Sequence, residues 1–312
     1  MNAPRQTVSY LIQRFREVGL SPDARHGQNF LVDLNLVRLL ADAAAIGTED
    51  VVLEIGTGTG SLTTMLAEHA GAVVTVEIDA HLHQLASETL IDFHNITMLQ
   101  LDALKNKNRF APQVLDTIRR SLDAAPQRQL KLVANLPYRV ATPVITNLLH
   151  VQPLPVSMTV TIQKELADRI TASPGTKSYG ALSIWIQCQC ETEILRILPP
   201  SVFWPRPQVD SAIIQVRPNP RKRAEIPDPE FFHRFVRAMF FHRRKFLRSE
   251  LISFLKGQAD KTTVDRLMRQ QGLDGNARAE ELDVQSMLAL AEAVRQQIRV
   301  QGGKEQGCDL SK

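Results

Sequence analysis

Asn135-Leu136-Pro137-Tyr138 directly follows a short apolar run, Leu130 to Ala134, that reads as a buried strand. A side-chain amide, a fixed turn and an aromatic ring are therefore expected at one strand end. Such a group can grip a flat amino-substituted base. The Asn135 side-chain oxygen and the Leu136 carbonyl each accept one amino hydrogen, Pro137 fixes the turn, and Tyr138 stacks on the ring. The exocyclic nitrogen of an aminopurine is a poor nucleophile while its lone pair is delocalised, and two acceptors draw that pair out of conjugation. No general base is needed, because the nitrogen becomes strongly acidic on alkylation; positioning and polarisation supply most of the rate. The plain alternative is an ordinary Asn-x-Pro turn.

A second ligand is announced upstream by Glu54-Ile55-Gly56-Thr57-Gly58-Thr59-Gly60, a strand end running into a helix. Three glycines let backbone approach a ligand closely. Glu77 closes the next expected strand, where a carboxylate can accept both hydroxyls of a ribose, and Asp102 follows the third, within reach of an adenine amino group. Either acid alone would suit a capping role; together with the glycines at successive strand ends they suggest a nucleoside cofactor. A dinucleotide dehydrogenase usually spaces its glycines G-x-G-x-x-G and needs no Asn-Leu-Pro-Tyr. The spacing Gly56, Gly58, Gly60 instead resembles class I S-adenosylmethionine-dependent methyltransferases.

The elements that must position these residues follow from periodicity. Val51 to Ile55, Ala72 to Glu77, Ile96 to Leu99, Leu130 to Ala134 and Met158 to Gln163 read as strands buried on both faces. Ser61 to Ala70, Ala80 to Phe93 and Thr142 to His150 are long enough for crossover helices. Glu193 to Leu198 and Ser211 to Val216, joined by a Pro-rich connection, should pair antiparallel at one edge. The expected fold is α/β: a doubly wound, mostly parallel seven-stranded sheet with a small C-terminal helical domain. Ala181 to Cys188 fits helix or strand. Phe231 to Leu255, Lys261 to Gln271 and Val284 to Val300 read as helices. The domain plan is an N-terminal extension over 1–24, a catalytic domain over 25–217, a linker over 218–229, a helical domain over 230–300 and a tail over 301–312.

The 312 residues, 44% apolar and 22% charged, suit an ordinary globular chain. Cys188, Cys190 and Cys308 are too few and too unevenly placed for a disulfide framework, and no partner cluster completes a metal site, so neither disulfides nor a metal is expected. The first twenty residues lack the apolar run of a secretory signal, which leaves the cytoplasm as the default. Net charge is +4, but Arg217 to Lys256 holds eleven Lys or Arg against four acids. Such a segment suits either a solvated basic face or a polyanion contact. Within it, Phe240 to Arg248 sets cations beside aromatics. Its plain reading is an amphipathic helix packed by Phe240, Phe241, Phe246 and Leu247 with the cations in water; paired with the charge of the whole segment, RNA backbone contact by Arg243, Arg244, Lys245 and Arg248 is the favoured reading.

With these blocks assembled, the chain resembles the ribosomal RNA adenine dimethyltransferases. The matching segments are His26 to Asp33, Glu54 to Gly60, Val76 to Asp79, Leu101 to Ala103, Asn135 to Tyr138, Gln163 to Glu165, Lys177 to Leu182, Phe203 to Ser211, Phe241 to Lys245 and Arg278 to Leu282. They run in family order over about residues 25–290. The resemblance implies S-adenosylmethionine as cofactor, held by Asn29, Leu31, Gly56, Gly58, Glu77, Asp102 and Asn135. It implies that Phe203 sandwiches a flipped base opposite Tyr138, although by itself Phe203 reads as a core residue. Its implied substrate is two adjacent adenosines near the 3′ end of small-subunit rRNA in an immature small ribosomal subunit, met by a monomer away from membranes. A large-subunit rRNA methylase of the antibiotic-resistance type and a non-catalytic assembly or transcription factor are the rivals. Arg139 departs from the small polar residue that many relatives carry, and it suits either a phosphate contact or solvent.

Overall fold

The structure is a computed structural model and describes residues 8–17, 19, 28–242 and 245–307. Helix α1 (Val8–Glu17), strand β1 (Phe30–Leu31) and α2 (Leu34–Ala43) lead into an alternating series. It runs β2 (Asp50–Ile55), α3 (Ser61–Ala67), β3 (Ala72–Glu77), α4 (Ala80–Thr89), β4 (Ile96–Gln100), a small hairpin of β5 (Leu104–Asn106) and β6 (Arg109–Phe110), α5 (Pro112–Asp123), β7 (Gln129–Asn135), α6 (Tyr138–Leu148) and β8 (Ser157–Gln163). There follow α7 (Lys164–Thr171), α8 (Ala181–Gln187), β9 (Cys190–Leu198), β10 (Phe203–Trp204) and β11 (Ser211–Pro218). The rest is helical: α9 (Pro220–Ala224), α10 (Pro229–Met239), α11 (Leu247–Phe254), α12 (Lys261–Gln270) and α13 (Val284–Gly307).

Seven strands form the central sheet in the order β4-β3-β2-β7-β8-β11-β9. The β2/β3, β3/β4, β2/β7 and β7/β8 pairs are parallel, and β11 runs antiparallel to β8. The inner strands β2 and β8 are buried along nearly their whole length, which is why they read as unbroken apolar runs rather than alternating ones. Beside the sheet, β1 pairs antiparallel with β10 and sets Leu31 opposite Phe203. Two residues per strand are too few for a sequence pattern to reveal.

The chain divides into two compact units, one of residues 1–167 and 192–218, the other of residues 168–191 and 219–312. The second takes in α8, the segment for which periodicity allowed helix or strand, and the short α9 lies where a plain linker was expected. Phe231, Phe235 and Phe254 pack edge-to-face and stacked in its core, with ring centroids 5.4 to 6.2 Å apart. The single helix expected over Phe231 to Leu255 is instead two, α10 and α11, the first followed by a turn over 240–242. Phe241 is 77% exposed there, so it does not pack the helix as expected. Helix α13 continues to Gly307, into the expected tail. Among the described residues, no helix is long and apolar enough to cross a membrane.

Candidate active site

From β2 the chain moves outward through β3 and β4, then returns to lay β7 on the other side of β2. The carboxyl ends of β2 and β7 therefore open a crevice, the usual ligand position in doubly wound sheets. Gly56 follows one strand and Asn135 ends the other. Gly56 has φ +87°, and a Cβ there would stand 3.3 Å from Cδ of Pro137. Gly58, at φ +57°, lies under the Phe30 ring, where a Cβ would come within 3.2 Å of Cε1. Both left-handed conformations and both close approaches call for glycine.

Glu77 braces this turn. Its Oε2 accepts from the Gly58 N–H at 3.0 Å and its Oε1 from the Asp79 N–H at 3.0 Å. Burial raises its carboxyl above the ordinary value, with these backbone donors opposing the shift. Glu54 sits deeper, its Oε2 accepting from the Thr63 hydroxyl at 2.6 Å and the Thr75 hydroxyl at 2.7 Å. Because Thr75 spends its proton on Glu54, the Thr57 hydroxyl donates to Thr75 at 2.6 Å. Burial pushes the Glu54 carboxyl up to about 8. The three threonines escaped the sequence reading; only their spacing around a buried acid hints at the network.

On the other strand, the Asn135 side-chain Nδ2 donates to the Asn29 carbonyl at 2.9 Å. The Leu136 N–H donates to the Thr161 carbonyl at 3.1 Å. Tyr138 opens α6, and its phenol lies 2.6 Å from the Ser211 hydroxyl on β11. Burial raises the phenol above its usual value. Asp102 is exposed, with Oδ1 accepting from the Leu104 N–H at 2.8 Å as in a turn cap. Phe203 is 3% exposed and packs in a core cluster with Leu31, Leu40, Val133 and Ile213. The structure thus gives Phe203 the core placement that its type alone suggests.

Three cavities meet on these residues. Leu31, Glu54, Gly56, Gly58 and Asn135 line one, and Asn29, Glu77 and Pro137 join Gly56, Gly58 and Asn135 around the next. A cleft of about 510 Å³ is lined by Glu77, Ile78, Asp102, Lys105, Pro137 and Arg139. Every expected cofactor residue lines at least one of the three.

A sequence model of one protein family, described as Ribosomal RNA adenine dimethylase, matches residues 21–296. The chain belongs to that family. It is 40% identical over 270 residues to Ribosomal RNA small subunit methyltransferase A of Bacillus mycoides, covering 86% of this chain and 89% of that protein. The protein of the same name from Bacillus anthracis matches equally well, at 40% identity with the same coverage. Among solved structures, a dimethyladenosine transferase from Plasmodium falciparum superposes with TM-score 0.71 at 23% identity, over 84% of this chain and 96% of that one. The 23S rRNA methyltransferase ErmE superposes with TM-score 0.62 at 23% identity, over 85% and 99%, and this likeness concerns the fold.

As a dimethylase of this family, the protein uses S-adenosylmethionine as its methyl donor. The site fits that group: the glycine turn gives close backbone approach, Glu77 sits at the strand end suited to a ribose, and Asp102 lines the roomiest cleft.

Of the expected RNA contacts, Arg243 and Arg244 lie outside the described residues. Lys245 is exposed. Arg248 is committed elsewhere: its Nε and Nη2 hold the Asp265 carboxylate at 2.5 and 3.0 Å, a two-pronged pair that largely cancels its charge.

Proposed function

We propose that the protein dimethylates N6 of two adjacent adenosines near the 3′ end of small-subunit rRNA, acting on an immature small ribosomal subunit as a cytoplasmic monomer. The names of its 40% identical relatives support the small subunit over the large one. S-adenosylmethionine supplies an electrophilic methyl group. The chain's own residues prepare the nucleophile. The observation that carries this reading is the bond from Asn135 to the Asn29 carbonyl. Only the amide nitrogen can donate to a carbonyl, so Oδ1 is left as an acceptor for one amino hydrogen of the adenine, with the Leu136 carbonyl for the other. Two acceptors localise the lone pair on N6 and hold the base in plane while Tyr138 stacks on it. Phe203 would complete the sandwich only once the β1/β10 pair uncovers its ring, which core packing encloses.

Labelled cofactor, purified protein and immature small or large subunits, followed by nucleoside mapping, test the proposal. Dimethyladenosine at two neighbouring positions of small-subunit rRNA is expected; label confined to large-subunit rRNA would overturn it. Asn135→Ala should cut turnover by about a hundredfold or more while RNA affinity stays nearly constant.

A further inference from the structure

The hairpin of β5 and β6 has no part in the site so far. Its sequence, Leu104-Lys-Asn-Lys-Asn-Arg-Phe110, carries three cations, and no acid occurs between Ala103 and Leu115. Leu104 and Phe110 face each other across the ladder and are buried, which anchors the base of the hairpin. Lys105, Lys107 and Arg109 are all exposed. Three further bonds hold the shape. Asn106 Oδ1 accepts from the Asn108 N–H at 2.9 Å, the Ala111 N–H donates to the Ala103 carbonyl at 2.9 Å, and Asn147 Nδ2 donates to the Lys107 carbonyl at 3.2 Å. Asn147 belongs to α6, the helix that Tyr138 begins, so the hairpin tip and the base platform share one support.

This placement is specific. Lys105 and Lys107 line the 510 Å³ cleft together with Glu77, Asp102, Pro137 and Arg139. Arg109 lines a second groove of about 350 Å³ with Asn108, Asp116, Arg119 and His150. Among the described residues, none of the three hairpin cations is engaged in an ion pair, whereas Arg119 is paired with Asp116 at 3.3 Å. Three like charges on one stiff hairpin repel one another, and a solvated surface gains nothing from collecting them there.

We propose that Lys105, Lys107 and Arg109 form a phosphate-binding ridge for the rRNA strand flanking the target adenosine. The proposal rests on the rRNA reading above and adds to it a contact surface on the catalytic unit, in a different part of the chain from the basic segment around Lys245. Phosphates are the chemistry that such a ridge fits: exposed point charges on a rigid scaffold register a backbone without reading bases.

The test is equilibrium binding of small-subunit rRNA fragments to the full-length protein across a salt series. The combined Lys105→Gln, Lys107→Gln and Arg109→Gln variant should lower the slope of log affinity against log salt by about 2 to 3, near one unit per phosphate contact. Affinity at moderate salt should fall by about tenfold or more. A charge-preserving variant, Lys105→Arg with Lys107→Arg and Arg109→Lys, should keep the wild-type slope. Equal slopes for wild type and the glutamine variant would overturn the ridge. Binding is read apart from turnover, so a wild-type protein that fails to methylate small subunits sinks the earlier reading, and an unchanged slope sinks this one.

Discussion

Tyr138 and Ser211 meet hydroxyl to hydroxyl at 2.6 Å, although seventy-three positions separate them. One opens α6 at the end of β7 and the other begins β11, two strands away across β8. The bond fixes the plane of the ring on which a base is to stack. Ser211 is fully buried, so the contact also satisfies a hydroxyl that water cannot reach. Ser211→Ala should leave the fold intact and lower kcat/KM about fivefold, the worth of one neutral hydrogen bond. Tyr138→Ala should cost ten- to a hundredfold by losing about 1 to 3 kcal/mol of stacking. Steady-state kinetics on subunit substrate check both, and a Ser211→Ala enzyme equal to wild type would show that the ring needs no tether.

Gly58→Ala tests the glycine turn. A left-handed residue with a side chain costs about 1 to 2 kcal/mol, and the added methyl presses on Phe30 at 3.2 Å. The expected result is weaker S-adenosylmethionine binding by calorimetry together with a lower Tm. Unchanged affinity would place the cofactor elsewhere.

Glu54 makes stability depend on pH. Its carboxyl is pushed up to about 8 by burial, well above its value in an unfolded chain. The folded protein therefore holds this proton where the unfolded one has released it. The stabilisation is full below about pH 4.5 and is lost as pH rises through about 8, with a slope approaching 1.4 kcal/mol per unit for one proton. Glu54→Gln has no proton to lose, so urea unfolding at pH 6, 7 and 8 should show a flatter profile for the variant than for wild type. Parallel profiles would mean that Glu54 is ionised throughout.

Lys245 and Arg248 should separate in their effects on RNA binding. Lys245 is exposed and available to a phosphate, so Lys245→Ala is expected to lower the salt slope by about 1. Arg248 is held by Asp265, and Arg248→Ala should leave that slope as it was. A drop for Arg248→Ala would show that RNA displaces Asp265.

Much of the site could be read from the chain because its signals are local. Glycines at Gly56 and Gly58, an acid at Glu77 and the tetrapeptide from Asn135 each mark a strand end, where backbone geometry depends on neighbours in sequence. Apolar runs identified the inner strands for the same reason, since burial on both faces leaves no other pattern. What folding alone settled involves partners far apart along the chain. Nothing near Tyr138 points to Ser211, nothing near Asn135 points to the Asn29 carbonyl, and the threonines around Glu54 converge from a strand, a turn and a helix. The basic stretch shows the same limit. Counting charges cannot show that Asp265 already claims Arg248, nor that Lys105 and Lys107 line the cleft without an ion pair among the described residues, because pairing is decided by which side chains the packed elements bring within reach.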